Sequence, residues 1–182
     1  MCAVTEVDVA ILLWIQNHIR CEALTPFVKA ITHLGDLGLI WILLGLALLI
    51  SRKTRPIGYA ALLSLCLGAL FNNVLLKNMV ARARPYDVSP LMHPLVARPK
   101  DFSFPSGHTC ASFASAFVYY RMCPKTYGVP LMVLACGIGL SRLYVGVHYP
   151  SDVVAGCLVG FLASVLALKS IEKGKMPSFI EK

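Results

Sequence analysis

A chain of 182 residues that is 57% hydrophobic and only 14% charged, with a mean hydropathy of +0.70, lies outside the balance of a soluble globular domain and is expected to be integral to a membrane. The net charge of +8 does not point to nucleic acid, because the basic residues gather at the ends of apolar segments and not along one polar face. Lipid headgroups or a phosphate-bearing substrate are the expected partners.

From the N-terminus, Glu6 and Asp8 stand where a secretory signal would be basic, and the apolar run Val9 to Ile15 is short, so no cleaved signal is expected. Val7 to Ile19 and Ala23 to Leu34 are apolar but interrupted by Gln16, Asn17, His18, Arg20, Glu22 and Lys29. They predict two short helices lying in the membrane interface, with a sixth, imperfect span as the alternative. Five spans follow, at Gly35–Ile50, Ile57–Leu76, Pro105–Tyr120, Tyr127–Leu143 and Asp152–Leu168. Several are shorter than the about 20 residues that cross a hydrocarbon core, so their ends are expected to reach into the interface.

The expected fold class is therefore all-α, a polytopic membrane helix bundle with five or six spans and N-terminal interfacial helices. No linker, low-complexity block or internal repeat divides it, which predicts a single domain over 1–182. The Gly156-Cys-Leu-Val-Gly160 spacing is a close-packing pattern for membrane helices. Seven scattered cysteines with no C-x-x-C pair read as small core residues, not as a disulfide or zinc framework. The longest connection, from about Lys77 to Phe104, mixes basic residues, prolines and the apolar stretch Leu91 to Val96. Connections of that length inside a compact domain tend to carry function.

If the spans alternate in direction, three polar clusters fall on one face of the membrane. They are Lys77-x6-Arg84-Pro85 after the second span, Pro105-Ser106-Gly107-His108 opening the third, and Ser141-Arg142-x5-His148-x3-Asp152 between the fourth and fifth. Lys77, Arg84 and Arg142 are three cations, the arginines suited to bidentate contact with phosphate oxygens. The backbone N–H groups around Ser106, Gly107 and His108 are expected at a helix N-terminus, where an anion is favoured. Asp152, in the first turn of the last helix, is placed to reach back to one nitrogen of His148 and leave the other free to attack phosphorus. His148 is thus the expected nucleophile, and His108 the group that protonates the leaving oxygen and later activates water. With only nine acidic residues in the chain and no H-x-x-x-H or paired carboxylates at ligand spacing, no metal and no other cofactor is expected.

The three clusters together resemble the signature of the type 2 phosphatidic acid phosphatase superfamily, K-x6-R-P, P-S-G-H and S-R-x5-H-x3-D, with every specified position filled. The resemblance spans Lys77 to Asp152. It implies a helical bundle, a phosphohistidine intermediate on His148, a general acid at His108, and phosphate binding by Lys77, Arg84, Ser106, Gly107, His108 and Arg142, without a metal. Among the family's members the compact chain is most similar to small bacterial undecaprenyl-diphosphate phosphatases. The expected substrate is accordingly a polyprenyl or phospholipid phosphate in the bilayer, first undecaprenyl diphosphate, with phosphatidic acid or phosphatidylglycerol phosphate as alternatives.

Readings of other classes are an anion transporter or a non-catalytic lipid-binding protein, but transport asks for ionisable groups near the bilayer midplane and here they collect at one face. His18, His33 and His93 read as structural. Arg82, Arg98 and Lys100 read either as interfacial anchors or as headgroup contacts, and Asp36, Asn72 and Asn73 either as pocket residues or as caps and interhelical bonds. Eight basic residues lie on the cluster side and nine on the other; setting aside Lys77, Arg84 and Arg142 leaves five against nine. The positive-inside rule then predicts a site facing outward, away from the cytoplasm, and the resemblance implies a bacterial plasma-membrane protein.

Overall fold

The computed structural model describes residues 3–172. Its elements follow the hydropathy of the chain: α1 (Ala3–His18), α2 (Thr25–Leu34), a 3-10 turn at Asp36–Gly38, α3 (Leu39–Ile50), α4 (Arg55–Ala69), a π-helical stretch Leu70–Leu76, the short α5 (Lys77–Val80) and α6 (Pro85–Val88), then α7 (Gly107–Met122), α8 (Lys125–Tyr144) and α9 (Pro150–Glu172). Proline opens α2, α4, α6 and α9, where its missing N–H leaves nothing unpaired.

The centre of the bundle is α7, packed on α4, α8 and α9. Its sequence alternates small residues with hydroxyls, and Thr109, Ser112, Ala114, Ser115 and Ala116 are all buried. Close approach of helix backbones follows from that composition. A Cβ added at Gly156 would meet the Ser106 carbonyl oxygen at 2.6 Å, and one at Gly160 would meet the Cys110 carbonyl oxygen at 2.6 Å. The glycine pair read from the sequence is thus the seam between α9 and α7. Trp41 Nε1 donates to Ser112 Oγ at 3.0 Å, and Ser64 Oγ to the Ala114 carbonyl at 2.8 Å, so the hydroxyls also cross-link the helices.

Among the described residues three helical stretches are long and apolar enough to cross a membrane, Arg55–Val88, Lys125–Tyr144 and Pro150–Ile171, and Thr25–Leu34 with Asp36–Ile50 makes a fourth if the pair, bent by 42°, is one span. The five or six expected spans are not all of that kind. α7 has 16 residues and is shielded by its neighbours, so it needs little lipid-facing apolar length. Of the two helices expected in the interface, α2 forms with the segment to Ile50 either a broken span or a re-entrant pair, whereas α1 packs over the end of α8 and α9, burying Leu12 in a cluster with Tyr86, Met92, Tyr144, Val145, Val147 and Tyr149.

The 77–106 connection lies against this cluster. Leu95 and Val96 pack into it, and the Leu95 N–H donates to the Val145 carbonyl at 2.9 Å. Leu91 to Val96 therefore help seat α1, and the residues of the connection that border the cavity described next are Lys77, Asn78, Arg84 and the stretch Pro99 to Phe102.

Candidate active site

At the end of the bundle where α4, α7 and α8 meet the long connection, a cavity of about 860 Å³ opens. One part of its wall is polar and carries Lys77, Arg84, Gly107, His108, Arg142 and His148. Another part is apolar, with Leu37, Ile42, Leu62, Leu65 and Ala69. The structure thus brings together residues separated by as many as 71 positions in the chain, from Lys77 to His148, because each follows or opens a helix at the same end.

The π-helical stretch Leu70–Leu76 precedes Lys77, and such widened turns recur at functional sites. Within it Asn72 is buried and donates to Asn73 Oδ1 at 2.9 Å and to the Pro105 carbonyl at 3.3 Å, so this pair ties the second span to the start of α7. Ala81 then ends α5 at φ 48°, a left-handed conformation uncommon for a residue with a side chain, and Arg84 follows in extended backbone.

Arg84 is held from several sides. Its Nε donates to the Asp101 carbonyl at 2.8 Å, Nη1 to the Val147 carbonyl at 2.7 Å, and Nη2 to Asp101 Oδ1 at 2.6 Å. Lys77 donates to the other oxygen of the same carboxylate. Burial pushes the Asp101 carboxyl up, but the hydrogen bond and charge of Lys77 and the charge of Arg84 outweigh it and hold the group at about 2. Arg142 is buried, with Nη1 donating to Thr32 Oγ1 at 2.6 Å.

His148 is 2% exposed, and its Nε2 lies 3.5 Å from Arg84 Nη1 on the cavity side. Its Nδ1 is 3.4 Å from Asp152 Oδ2, close enough to feel the carboxylate but without a well-aligned hydrogen bond, a looseness common in catalytic pairs before a ligand binds. Burial drives the His148 imidazole down to about 4, with the charges of Arg84 and Arg142 adding to the effect and Asp152 opposing it. The ring is therefore neutral at physiological pH, the state a nucleophile requires. Asp152 is fully buried behind it and also accepts from Ser103 Oγ and from the Tyr149 N–H at 2.9 Å.

His108 stands in the first turn of α7, with its Nε2 2.9 Å from Asp36 Oδ1; the other oxygen of Asp36 is 2.8 Å from His33 Nδ1. Gly107 leaves room for a close approach, since an added Cβ would sit 3.1 Å from Asn73 Oδ1. Ser106 is placed differently from the sequence expectation of a phosphate ligand. Its hydroxyl is the N-cap of α7, accepting from Thr109 Oγ1 at 2.9 Å, and its N–H donates to the Asp152 carbonyl at 3.0 Å. Fully buried, it braces the site from behind and does not line the cavity.

Arg82, read from the sequence as an interfacial anchor or a headgroup contact, is engaged by two carboxylates. It donates from Nη1 to Asp152 Oδ1 at 2.7 Å and from Nη2 to Asp8 Oδ2 at 2.8 Å. Sequence spacing does not reveal Arg82, Asp36 or Asp101 as partners of the motif residues. A usable signal existed in the scarcity of acids: carboxylates are costly in an apolar chain, so each one near a cluster warranted a named partner.

The bundle and the cluster of cations and histidines at its end define a class of membrane-embedded helical protein, and sequence comparison agrees. Residues 58–175 match the PAP2 superfamily, and the chain belongs to it. It is 33% identical over 130 residues to the undecaprenyl-diphosphatase of Sulfolobus acidocaldarius, covering 71% of this chain and 63% of that one. It is 33% identical over 170 residues to phosphatidylglycerophosphatase B of Bacillus subtilis, covering 86% and 80%. With the decaprenylphosphoryl-5-phosphoribose phosphatase of Mycobacterium tuberculosis it shares 31% identity over 84% of each chain. The chain thus spans less than two thirds of the Sulfolobus protein and more of the other two. Among solved structures it superposes on Aquifex aeolicus LpxE with a TM-score of 0.79 at 28% identity, covering 90% and 95% of the two chains. The transmembrane PAP2-type phosphatidylglycerolphosphate phosphatase of Bacillus subtilis gives 0.76 at 33% identity, covering 95% and 88%.

Proposed function

We propose that this chain is a membrane lipid phosphatase that hydrolyses a phosphate ester or anhydride through a phosphohistidine on His148. The observation that carries the reading is the single cavity in which two histidines, three cations and an apolar wall meet. A phosphate held by Lys77, Arg84, Arg142 and the Gly107 N–H presents phosphorus to His148 Nε2. The P–N bond forms as the bond to the lipid oxygen breaks, and His108 supplies the proton that oxygen needs. Water, deprotonated by the same His108, then attacks the phosphohistidine and releases inorganic phosphate. Asp152 stabilises the positive charge that His148 acquires. The cations offset the charge of the phosphoryl oxygens in place of a metal.

For the substrate we favour undecaprenyl diphosphate over phosphatidic acid and phosphatidylglycerol phosphate. Lys100 joins the three cations on the cavity wall, giving positive charge for a second phosphate, and the apolar wall suits a lipid whose chain stays in the bilayer. Two of the relatives named above act, by their names, on polyprenyl carriers. The site is read as facing outward from a bacterial plasma membrane. With Arg82 engaged by carboxylates and Lys100 assigned to a second phosphate, the cluster side retains three topologically informative basic residues against nine, part of the nine lying in the C-terminal tail outside the described residues.

The test is a phosphate-release panel over these lipids in excess EDTA, with and without vanadate, a mimic of the trigonal-bipyramidal transition state. Release that persists in EDTA, stops with vanadate and is fastest on the polyprenyl diphosphate is the expected result. Strict dependence on added divalent metal, or equal rates on soluble sugar phosphates, refutes the reading. Orientation is tested separately in a cysteine-free background: a cysteine at Ser89 is expected to react with an impermeant maleimide in intact cells, and one at Ser178 only after permeabilisation.

A further inference from the structure

We propose that Arg82 and Asp8 are positioning residues for the reaction, holding Asp152 ionised and aimed at His148, so that the N-terminal helix is a working part of the site. The proposal rests on the phosphohistidine reading and adds to it a support reaching from α1 to the nucleophile.

The geometry begins at Asp152, which has no solvent exposure. One of its oxygens, Oδ2, is shared among the Ser103 hydroxyl, the Tyr149 N–H and Nδ1 of His148. The other, Oδ1, takes a guanidinium hydrogen bond from Arg82 at 2.7 Å. A carboxylate removed from water stays ionised only with a counter-charge and satisfied lone pairs. Among the described residues Arg82 supplies the cation that pairs with it, since His148, the other group within reach, is neutral at rest.

Arg82 is in turn fixed by its surroundings. Its second amino group reaches Asp8 at 2.8 Å, and its guanidinium carbon lies 3.8 Å from the centre of the Tyr149 ring. Asp8 is 4% exposed and accepts from both the N–H and the hydroxyl of Ser151, the residue beside Asp152. A buried carboxylate on an otherwise apolar helix is costly unless it has such partners. One fork thus spans two carboxylates carried by α1 and α9, a geometry a lysine's single ammonium does not reproduce.

Charge gives the arrangement its function. One cation between two anions leaves one negative charge uncompensated, and the group it faces is His148, which becomes positive as it attacks phosphorus. The charged and titratable groups around the Asp152–His148 pair are Asp8 from α1, Arg82 and Arg84 from the segment after α5, Arg142 from α8, and Tyr149 beside Arg82. Removing the cation at Arg82 favours proton uptake by the pair; removing the anion at Asp8 disfavours it. The two changes therefore move the acid limb of the pH–rate profile in opposite directions, which a purely structural brace would not do.

The test uses the full chain in detergent or vesicles with the lipid phosphate that the wild type hydrolyses fastest. Arg82→Gln is expected to lower kcat by roughly 10- to 100-fold, the range for losing an outer partner of a functional histidine. KM should hold, since Arg82 does not line the cavity. Its acid limb should rise by about 1–3 pH units. Arg82→Lys should return the limb to its wild-type position while restoring kcat only in part. Asp8→Asn should shift the limb to lower pH. If Arg82→Gln does not fold, the Lys and Asn variants decide the matter by the same limb positions. An unmoved limb in Asp8→Asn, or a rise in KM as the main effect at Arg82, overturns the proposal. His148→Ala, run on the same substrate, separates the two readings: turnover without the imidazole removes the phosphohistidine, whereas a dead His148 variant alongside unmoved limbs removes the positioning role alone.

Discussion

On the proposed reading Asp101 competes with the substrate's phosphate for Lys77 and Arg84, and replacing it with asparagine tests that reading. Its two oxygens bond Lys77 and Arg84, so the resting site already holds an anion of its own. Arg84 does not depend on that carboxylate for its position, because the main-chain carbonyls of Asp101 and Val147 hold it at 2.8 and 2.7 Å. Asp101→Asn keeps the side-chain shape, removes the competing charge and leaves one acceptor oxygen in place of two. The Asp101 side chain is 52% exposed, so each ion pair is screened and falls near the upper end of the surface range, giving about 1–2 kcal/mol for the two together. Phosphate and vanadate are then expected to bind roughly 5- to 30-fold more tightly, read as a fall in Ki at pH 7 and low ionic strength, with the difference shrinking as salt is raised. With Asp101 held at about 2, the wild-type carboxylate remains a competitor across the working pH range, so the gain should not vary between about pH 5 and 8. A Ki that is unchanged or higher would show that the carboxylate organises the cations for phosphate, and the competition argument would be wrong.

His148→Ala should abolish an acid-labile phosphoenzyme in rapid-quench experiments with labelled substrate; a near-normal yield would exclude His148 as nucleophile. Asp36→Ala, which frees His108 Nε2, should slow turnover of lipid substrates by about 10-fold and spare p-nitrophenyl phosphate, whose leaving group needs no proton. The buried His148 titrates near 4 against an ordinary 6.5, so the folded state binds fewer protons there; its contribution to stability is complete above about 6.5 and is lost as pH falls toward 4. Thermal midpoints should drop over that window, and His148→Gln should flatten the drop. Gly160→Val places a side chain against backbone atoms of α7 and should destabilise the fold by at least about 1–3 kcal/mol, seen as a lower midpoint in detergent.

Hydropathy and short-range spacing determine a good deal of this protein before any packing is known. Helices α3, α7, α8 and α9, and α4 together with its π-helical continuation to Leu76, fall where the apolar segments put them, within a few residues, because a chain in lipid must satisfy its backbone hydrogen bonds locally. Alternating direction then sends Lys77, Arg84, His108, Arg142 and His148 to one end, since each stands at or near a helix terminus. The four-residue interval from His148 to Asp152 reports a contact because it lies within one turn. Tertiary structure decided the rest. Arg82 meets Asp8 from 74 residues away, and His108 meets Asp36 from 72, pairings that depend on which helix packs on which. The hydroxyl of Ser106 became a cap because the close α7–α9 seam buries it, although its motif alone suggested a ligand. α7 escaped the length expected of a span because its neighbours, not lipid, surround it. Local sequence sets what a residue can do within its own turn; the small-residue contacts spread over several helices set which distant charges it meets.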